Sequence, residues 1–204
     1  TGLVTGVAAG TCNIIFTITG GCGGTVSAQQ SITVDPNSSI TSVTGASPLC
    51  IGATTTYTAN GVVLSGGTGA WSSSDVLVAT VNPATGLVTA VGAGTCNIIF
   101  TITGGCNGPV SAQQSFTVNP NSSITSVTGT SPLCIGATAT YTANGIVLSG
   151  GTGGWSSSDI LVATVNPATG LVTGVSAGTC NIIFTITGGC NGPVSAQQSI
   201  TVDP

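Results

Sequence analysis

Eight cysteines are the residues of this chain with the most chemistry to offer: Cys12, Cys22, Cys50, Cys96, Cys106, Cys134, Cys180 and Cys190. Three pairs, Cys12/Cys22, Cys96/Cys106 and Cys180/Cys190, share a Cys-x9-Cys spacing inside one recurring stretch, GTCNIIFTITGGC, while Cys50 and Cys134 stand alone. Thiols can ligate a metal or join as disulfides. Zinc sites draw on closely spaced Cys pairs or on His, and the chain has neither, so the pattern favours disulfides. Disulfides in turn point to an oxidising, extracellular compartment.

Little other chemistry is open. There is no Lys, Arg or His, and the only charged side chains are Asp35, Asp75, Asp159 and Asp203. General acid-base catalysis needs a group poised to exchange protons near neutral pH, and a Ser or Cys nucleophile needs a neighbouring base. No catalytic residue, metal site or cofactor is therefore expected. Calcium, which takes about six to eight oxygen ligands, is poorly served by one or two Asp per repeat. Nucleic-acid binding and polybasic membrane attachment both rest on Lys and Arg, so neither is expected. Apolar runs such as NIIF fall far short of the ~20 residues of a membrane helix, and no membrane insertion is expected. The composition is not that of a disordered chain either, since low net charge accompanies an ordinary apolar content. With no initiator Met, signal peptide or sorting tag, the sequence reads as an internal stretch of a longer polypeptide.

The elements that must position these cysteines repeat with a period of 84: Cys12, Cys96 and Cys180 are so spaced, as are Cys50 and Cys134, and Trp71 and Trp155. Residues 37-120 and 121-204 differ at nine positions, all mild, and 1-36 match 85-120 with six differences. The expected organisation is the C-terminal part of one repeat (1-36) followed by two whole repeats (37-120 and 121-204). A period of this length suits a string of domains better than a solenoid, whose repeats run to roughly 20 to 50 residues.

Within a repeat, short alternating stretches of Thr with branched or aromatic residues are punctuated by Gly, Pro and Asn. Seven strands are predicted, at 39-43, 53-59, 69-73, 77-81, 86-91, 95-103 and 111-118. NPATG (82-86) suits a hairpin turn, with Pro fixing φ and Gly accepting a left-handed backbone. Alternation puts Cys96, Ile98, Phe100 and Ile102 on one face, the core side, and Thr95, Asn97, Ile99, Thr101 and Thr103 on the other. Thr55, Tyr57 and Ala59 point inward by the same rule. Trp71 is expected at the core, with Phe100, Tyr57 and Val118 around it, between two sheets. The fold class is all-β, a sandwich per repeat.

WSSSDVLVATVNPATGLVTAVGAGTCNIIFTIT (71-103) resembles the bacterial Ig-like group 2 repeat in its Trp-Ser-Ser stretch, Ala-Thr-Val, Gly-Leu-Val-Thr hairpin and Ala-Gly-Thr turn. SPLCIGATTTYTAN (47-60) resembles the variant found in giant repetitive surface proteins of Bacteroidota. The resemblance implies tandem immunoglobulin-like β-sandwich domains of 84 residues, a non-catalytic role, and a place in the stalk of a secreted adhesin or cell-surface protein. Cys12, Cys96 and Cys180 depart from the family, which usually has Ala there, and so does the near absence of charge.

Each repeat holds three cysteines, so at least one is left over. In an immunoglobulin-like topology Cys50 lies at the end of the domain where its chain leaves, and Cys106 lies in the last hairpin at the opposite end. A disulfide needs Cα atoms within about 7 Å, whereas a nine-residue strand spans roughly 30 Å. Cys50 is therefore expected to reach Cys190, the hairpin cysteine of the next repeat. Cys50 with Cys96 and Cys50 with Cys106 are the rivals. Cys22, Cys106 and Cys134 are further disulfide candidates, and Cys12, Cys96 and Cys180 are expected as buried thiols. Asn37 and Asn121 open Asn-Ser-Ser sequons where glycosylation is conceivable.

The function expected is a structural segment of an extracellular fibre or adhesin stalk. Sheet edges are normally guarded by Lys and other charges; with none here, the partner expected is the chain itself, in filaments insensitive to salt. The alternative is a carbohydrate- or surface-binding adhesive module, resting on Trp, Tyr and Asn content.

Overall fold

The computed structural model describes all 204 residues, every regular element of which is a β-strand. Strands β1 (Gly10–Gly21) and β2 (Gly24–Val34) form a lone hairpin. The first unit contains β3 (Ser42–Thr44), β4 (Leu49–Cys50), β5 (Thr54–Thr56), β6 (Thr58–Asn60), β7 (Thr68–Ser73), β8 (Ala79–Val81), β9 (Leu87–Ala90), β10 (Gly94–Thr103) and β11 (Val110–Asn119). The second repeats them as β12 (Ser126–Thr128), β13 (Leu133–Cys134), β14 (Thr138–Thr140), β15 (Thr142–Asn144), β16 (Thr152–Ser157), β17 (Ala163–Val165), β18 (Leu171–Gly174), β19 (Gly178–Thr187) and β20 (Val194–Asp203). No helix is long and apolar enough to cross a membrane.

Each unit is a sandwich. One layer is the four-stranded sheet β4-β11-β10-β7; the other is made of β5-β9-β8 and the pair β3-β6. Ile98 and Ile102 are fully buried and Cys96 nearly so, while Thr95 and Thr103 are exposed, so the pleat of β10 turns its apolar set inward. Tyr57, Trp71, Phe116 and Val118 join the first core, with Phe100 packed against it. The rings meet edge to face: Trp71 on Phe100 at 5.0 Å, and Tyr57 on Phe116 at 6.0 Å. Such contacts are worth about 0.5–1.5 kcal/mol each beyond the area they bury.

Three local features refine the sequence reading. The stretch 53-59 is two strands, because the chain changes partners at Tyr57: Thr54–Thr56 pairs with β9, the Tyr57 N–H carries that ladder one step further to the Gly86 carbonyl at 2.9 Å, and Thr58–Asn60 pairs with β3. The first half of 77-81 is a turn capped by Asp75, whose Oδ1 accepts from the Leu77 N–H at 2.9 Å. The Asp carboxylate here forms a turn, as Asp159 does at Leu161. The 82-86 turn holds as a hairpin: the Asn82 side-chain oxygen accepts from the Ala84 and Thr85 N–H groups, and Gly86 has φ +72°.

The hairpin β1–β2 has the register of β10–β11 but no opposing layer. Its core-type residues therefore face solvent, with Phe16 71% exposed against 8% for its equivalent Phe184. Cys12, expected as a buried thiol, is exposed for the same reason.

Candidate functional site at the joint between units

A short element that periodicity did not reveal places Cys50. Leu49 and Cys50 run parallel to Val118 and Asn119, so Cys50 lies beside the last residues of its own unit, at its downstream pole. One residue later Pro120 and Asn121 lead into the second unit. Two residues are too few for the alternation on which strand prediction depends.

The other half of the joint is the β19–β20 hairpin tip. Ser122, 5% exposed, donates its N–H to the Cys190 carbonyl at 2.8 Å and its hydroxyl to the Leu148 carbonyl at 2.9 Å. The Cys190 N–H donates to the Ser149 carbonyl at 3.4 Å. The tip is thus tied to the residues that open its own unit, which is the upstream pole. A Cβ on Gly189 would collide with Ser122 Oγ and the Leu148 carbonyl oxygen, so glycine is required by space at this position.

These two poles meet. Cys50 and Cys190 form a disulfide with Cα atoms 5.4 Å apart, across a sequence separation of 140. The joint therefore has two covalent ties, the main chain at Pro120–Asn121 and the disulfide beside it. The bonded end of the first unit is the better covered: Ile51 is 36% exposed and Ile135, its equivalent, 50%.

Cys22, Cys106 and Cys134, the other disulfide candidates, are free thiols; Cys22 and Cys134 are exposed and Cys106 is half-buried. For Cys134 an offset of 140 falls beyond residue 204, and for Cys22 and Cys106 it falls before residue 1. Cys96 and Cys180 are each 5% exposed inside the cores. The Ser73 hydroxyl lies 3.7 Å from Cys96 Sγ, and Ser157 stands 3.6 Å from Cys180 Sγ. Burial, and secondarily the nearby Cys96 or Cys180, push the phenols of Tyr57 and Tyr141 above their ordinary value. Asn37 and Asn121 are both exposed, each just upstream of a buried serine, Ser38 or Ser122.

No group of three His, Cys, Asp or Glu side chains comes together in a way that could hold a metal ion. All four Asp are exposed. The two Trp, the main support for a binding module, are buried, Trp71 at 7% and Trp155 at 9% exposure. What the site can do chemically is form and break a disulfide that clamps two domains.

The family model for the bacterial Ig-like domain (group 2) matches residues 28–106 and again 112–191. The chain belongs to this family. Each group 2 match starts in or just before the last strand of a hairpin and ends at the Cys106 or Cys190 tip, so it is shifted upstream of the two packed cores, Ile40–Val118 and Ile124–Val202. Among solved structures, mouse cadherin-23 EC22-24 is similar at 13% identity and a TM-score of 0.50, over 95% of this chain and 73% of that one. That likeness supports two tandem Ig-like, cadherin-like sandwiches and nothing beyond the fold. Domains 4 and 5 of the S-layer protein SbsC match at 19% identity and a TM-score of 0.30, over 74% of this chain and 82% of that one. A C-terminal fragment of intimin, solved with the intimin-binding domain of its translocated receptor, matches at 16% identity and a TM-score of 0.44, over 80% of this chain and 64% of that one. No functionally curated protein matches the chain in sequence.

Proposed function

We propose that the chain is a load-bearing segment of an extracellular fibre or adhesin stalk, clamped by disulfides between successive domains and able to associate into filaments. The carrying observation is the Cys50–Cys190 bond, which ties one domain to the next alongside the main chain. Under tension a single linker lets domains swivel and pull apart; a second tie shares the load and restrains the swivel. Bacterial Ig-like domains of this group are typically non-catalytic structural or adhesive modules, in keeping with a chain that has no His or Lys to activate a nucleophile. A structural disulfide also needs an oxidising compartment, which favours the cell surface or beyond.

Self-association is favoured by the sheet edges. Beyond its two-residue pairing with β4, the edge of β11 carries no charged side chain, and neither does the edge strand β7. Negative-stain electron microscopy and light scattering of the oxidised chain, at low and high salt, test this reading. Filaments whose amount does not change with salt are expected. Strict monomers at high concentration in both conditions would overturn the assembly part of it.

A further inference from the structure

Asn-Gly occurs four times in the chain, at Asn60–Gly61, Asn107–Gly108, Asn144–Gly145 and Asn191–Gly192. Asn is among the thermolabile residues, and this dipeptide is where it is weakest. A glycine amide nitrogen, with no side chain to crowd it, can attack the side-chain carbon of the asparagine before it and expel ammonia. In a folded chain the reaction depends on how freely the asparagine amide and the glycine backbone turn.

The fold treats the four pairs in two ways. Asn60 is half-buried at the end of β6, and its Nδ2 donates to Ser42 Oγ at 3.3 Å and to Thr44 Oγ1 at 3.1 Å. Asn144 makes the same bonds to Ser126 and Thr128, at 3.3 and 3.0 Å. A Cβ on Gly61 or Gly145 would collide with Thr41 or Thr125, so the backbone there is closed in as well. Asn107 and Asn191 are exposed at the tips of the β10–β11 and β19–β20 hairpins, without the side-chain ties that hold Asn60 and Asn144. A Cβ on Gly108 would meet nothing within 4 Å, and one on Gly192 nothing nearer than 3.4 Å. The turn itself selects these residues: Asn107 has φ +76°, Gly108 +84° and Asn191 +61°, a left-handed backbone that Gly and Asn accept best. The Gly192 N–H donates to the Gly189 carbonyl at 3.3 Å, longer than the roughly 2.7–3.2 Å of a well-formed bond, so little holds it back. Asn191 stands at a joint already closed by the main chain and by Cys50–Cys190, and it is exposed there.

We propose that the hairpin tips are sites of self-modification, where Asn191, and Asn107 in the equivalent place, convert to aspartate and isoaspartate without an enzyme. The Gly192 nitrogen bonds to Asn191 Cγ, the Cγ–Nδ2 bond breaks, and the Gly192 amide proton leaves with Nδ2 as ammonia, closing a five-membered imide. Water then opens the ring. Cleavage at Cγ restores the main chain with a carboxylate side chain; cleavage at the main-chain carbonyl carries the backbone through Cγ and adds one carbon to it. One water is consumed, one ammonia is released, and nothing is oxidised or reduced. The tip Gly-Gly-Cys-Asn-Gly-Pro has no charged side chain, so each event puts the first charge on it, one residue from the joint cysteine. The site is independent of the structural role proposed above.

The experiment incubates the oxidised chain at mildly alkaline pH, folded and in urea, and follows intact mass, released ammonia and peptide maps that resolve aspartate from isoaspartate. In the folded chain Asn107 and Asn191 should convert, while Asn60 and Asn144 lag by about tenfold or more, because two hydrogen bonds must break before either amide can turn. In urea the two that lag should catch up. The rate should rise with pH, since the glycine nitrogen must lose its proton to attack, and ammonia should match the sites converted. Asn191→Gln, whose ring would be one atom larger, should stop the change at that tip and leave Asn107 converting. Equal conversion of the four pairs in the folded chain would overturn the proposal, as would folded tips that stay unchanged while the unfolded chain converts. Conversion of Asn107 with Asn191 unchanged would overturn it too, since the bonded joint would then protect its tip.

Discussion

Removing the Cys50–Cys190 bond, by Cys50→Ser with Cys190→Ser, should change not only how stable the units are but how they unfold together. The bond closes a loop across a separation of 140, and in the chain-entropy picture such a loop raises the free energy of the fully unfolded chain by about 5 kcal/mol. If only the second unit unfolds, the loop is shorter. Cys50 is held beside Asn119 by β4–β11 pairing, so the freed segment runs only from Asn119 to Cys190. A loop of roughly 70 residues is worth about 4.4 kcal/mol. The first unit unfolding alone gives nearly the same figure, since Cys190 is held beside Ser122. Most of the stabilisation is therefore spent against the first unit to open, and only about 0.6 kcal/mol remains to restrain the second.

Calorimetry should show this as a change of shape. The Ser/Ser variant should melt as two nearly independent domains. In the bonded chain the first transition should rise on the order of 20 °C, since about 4 kcal/mol acts on a domain of under a hundred residues, and the two should merge toward one. The accessible thiols, Cys12, Cys22, Cys106 and Cys134, are blocked by alkylation of the folded chain in both samples so that exchange does not confuse the comparison. Identical first transitions in the bonded chain and the variant would refute the reasoning, as would two transitions that rise equally and stay separate.

The two tyrosines provide a paired test in that same variant, where the units melt separately. The Tyr141 hydroxyl donates to the Thr130 carbonyl at 2.9 Å, whereas the Tyr57 hydroxyl is buried without a partner. Tyr141→Phe should cost about 1 kcal/mol in urea unfolding and Tyr57→Phe should be neutral or stabilising; equal losses would count against the hydrogen-bond account. Both phenols are held above their ordinary value of 10.0 by burial, so the folded state keeps its proton longer than the unfolded state does. Their contribution is fully present below that value and is lost as pH climbs through the higher folded one. Stability of the thiol-blocked chain should accordingly fall above pH 10 and recover on return, and a flat profile there would contradict the shift. Gly189→Ala places a methyl group against Ser122 and Leu148 and should cost about 1–3 kcal/mol in the second unit. It should also slow formation of the Cys50–Cys190 bond, read by trapping free thiols during oxidative refolding.

Legibility of the molecule in its sequence divides by length scale. The 84-residue period and the alternation in TCNIIFTIT carry a sandwich, its inward face and the burial of Trp71, because every β10 residue reports its face through its neighbours two positions away. The joint is different. Three pairings of Cys50 satisfy the cysteine count, and choosing among them needs the topology to say which end of the sandwich each cysteine occupies. The decisive element, Leu49–Cys50, is two residues long and runs parallel to a strand almost seventy residues away, so nothing local signals it. Ser122 escapes notice for a related reason. A serine in an Asn-Ser-Ser linker reads as solvated or as part of a sequon, yet it is nearly buried because the hairpin of its own unit folds back onto it and accepts its N–H at Cys190, while the Leu148 carbonyl accepts its hydroxyl. Its copy, Ser38, is just as buried and donates to Cys106 in the same way, although Cys106 has no disulfide. The hairpin's seat is therefore built by each unit on its own, and the disulfide locks a tip that is already positioned to receive it.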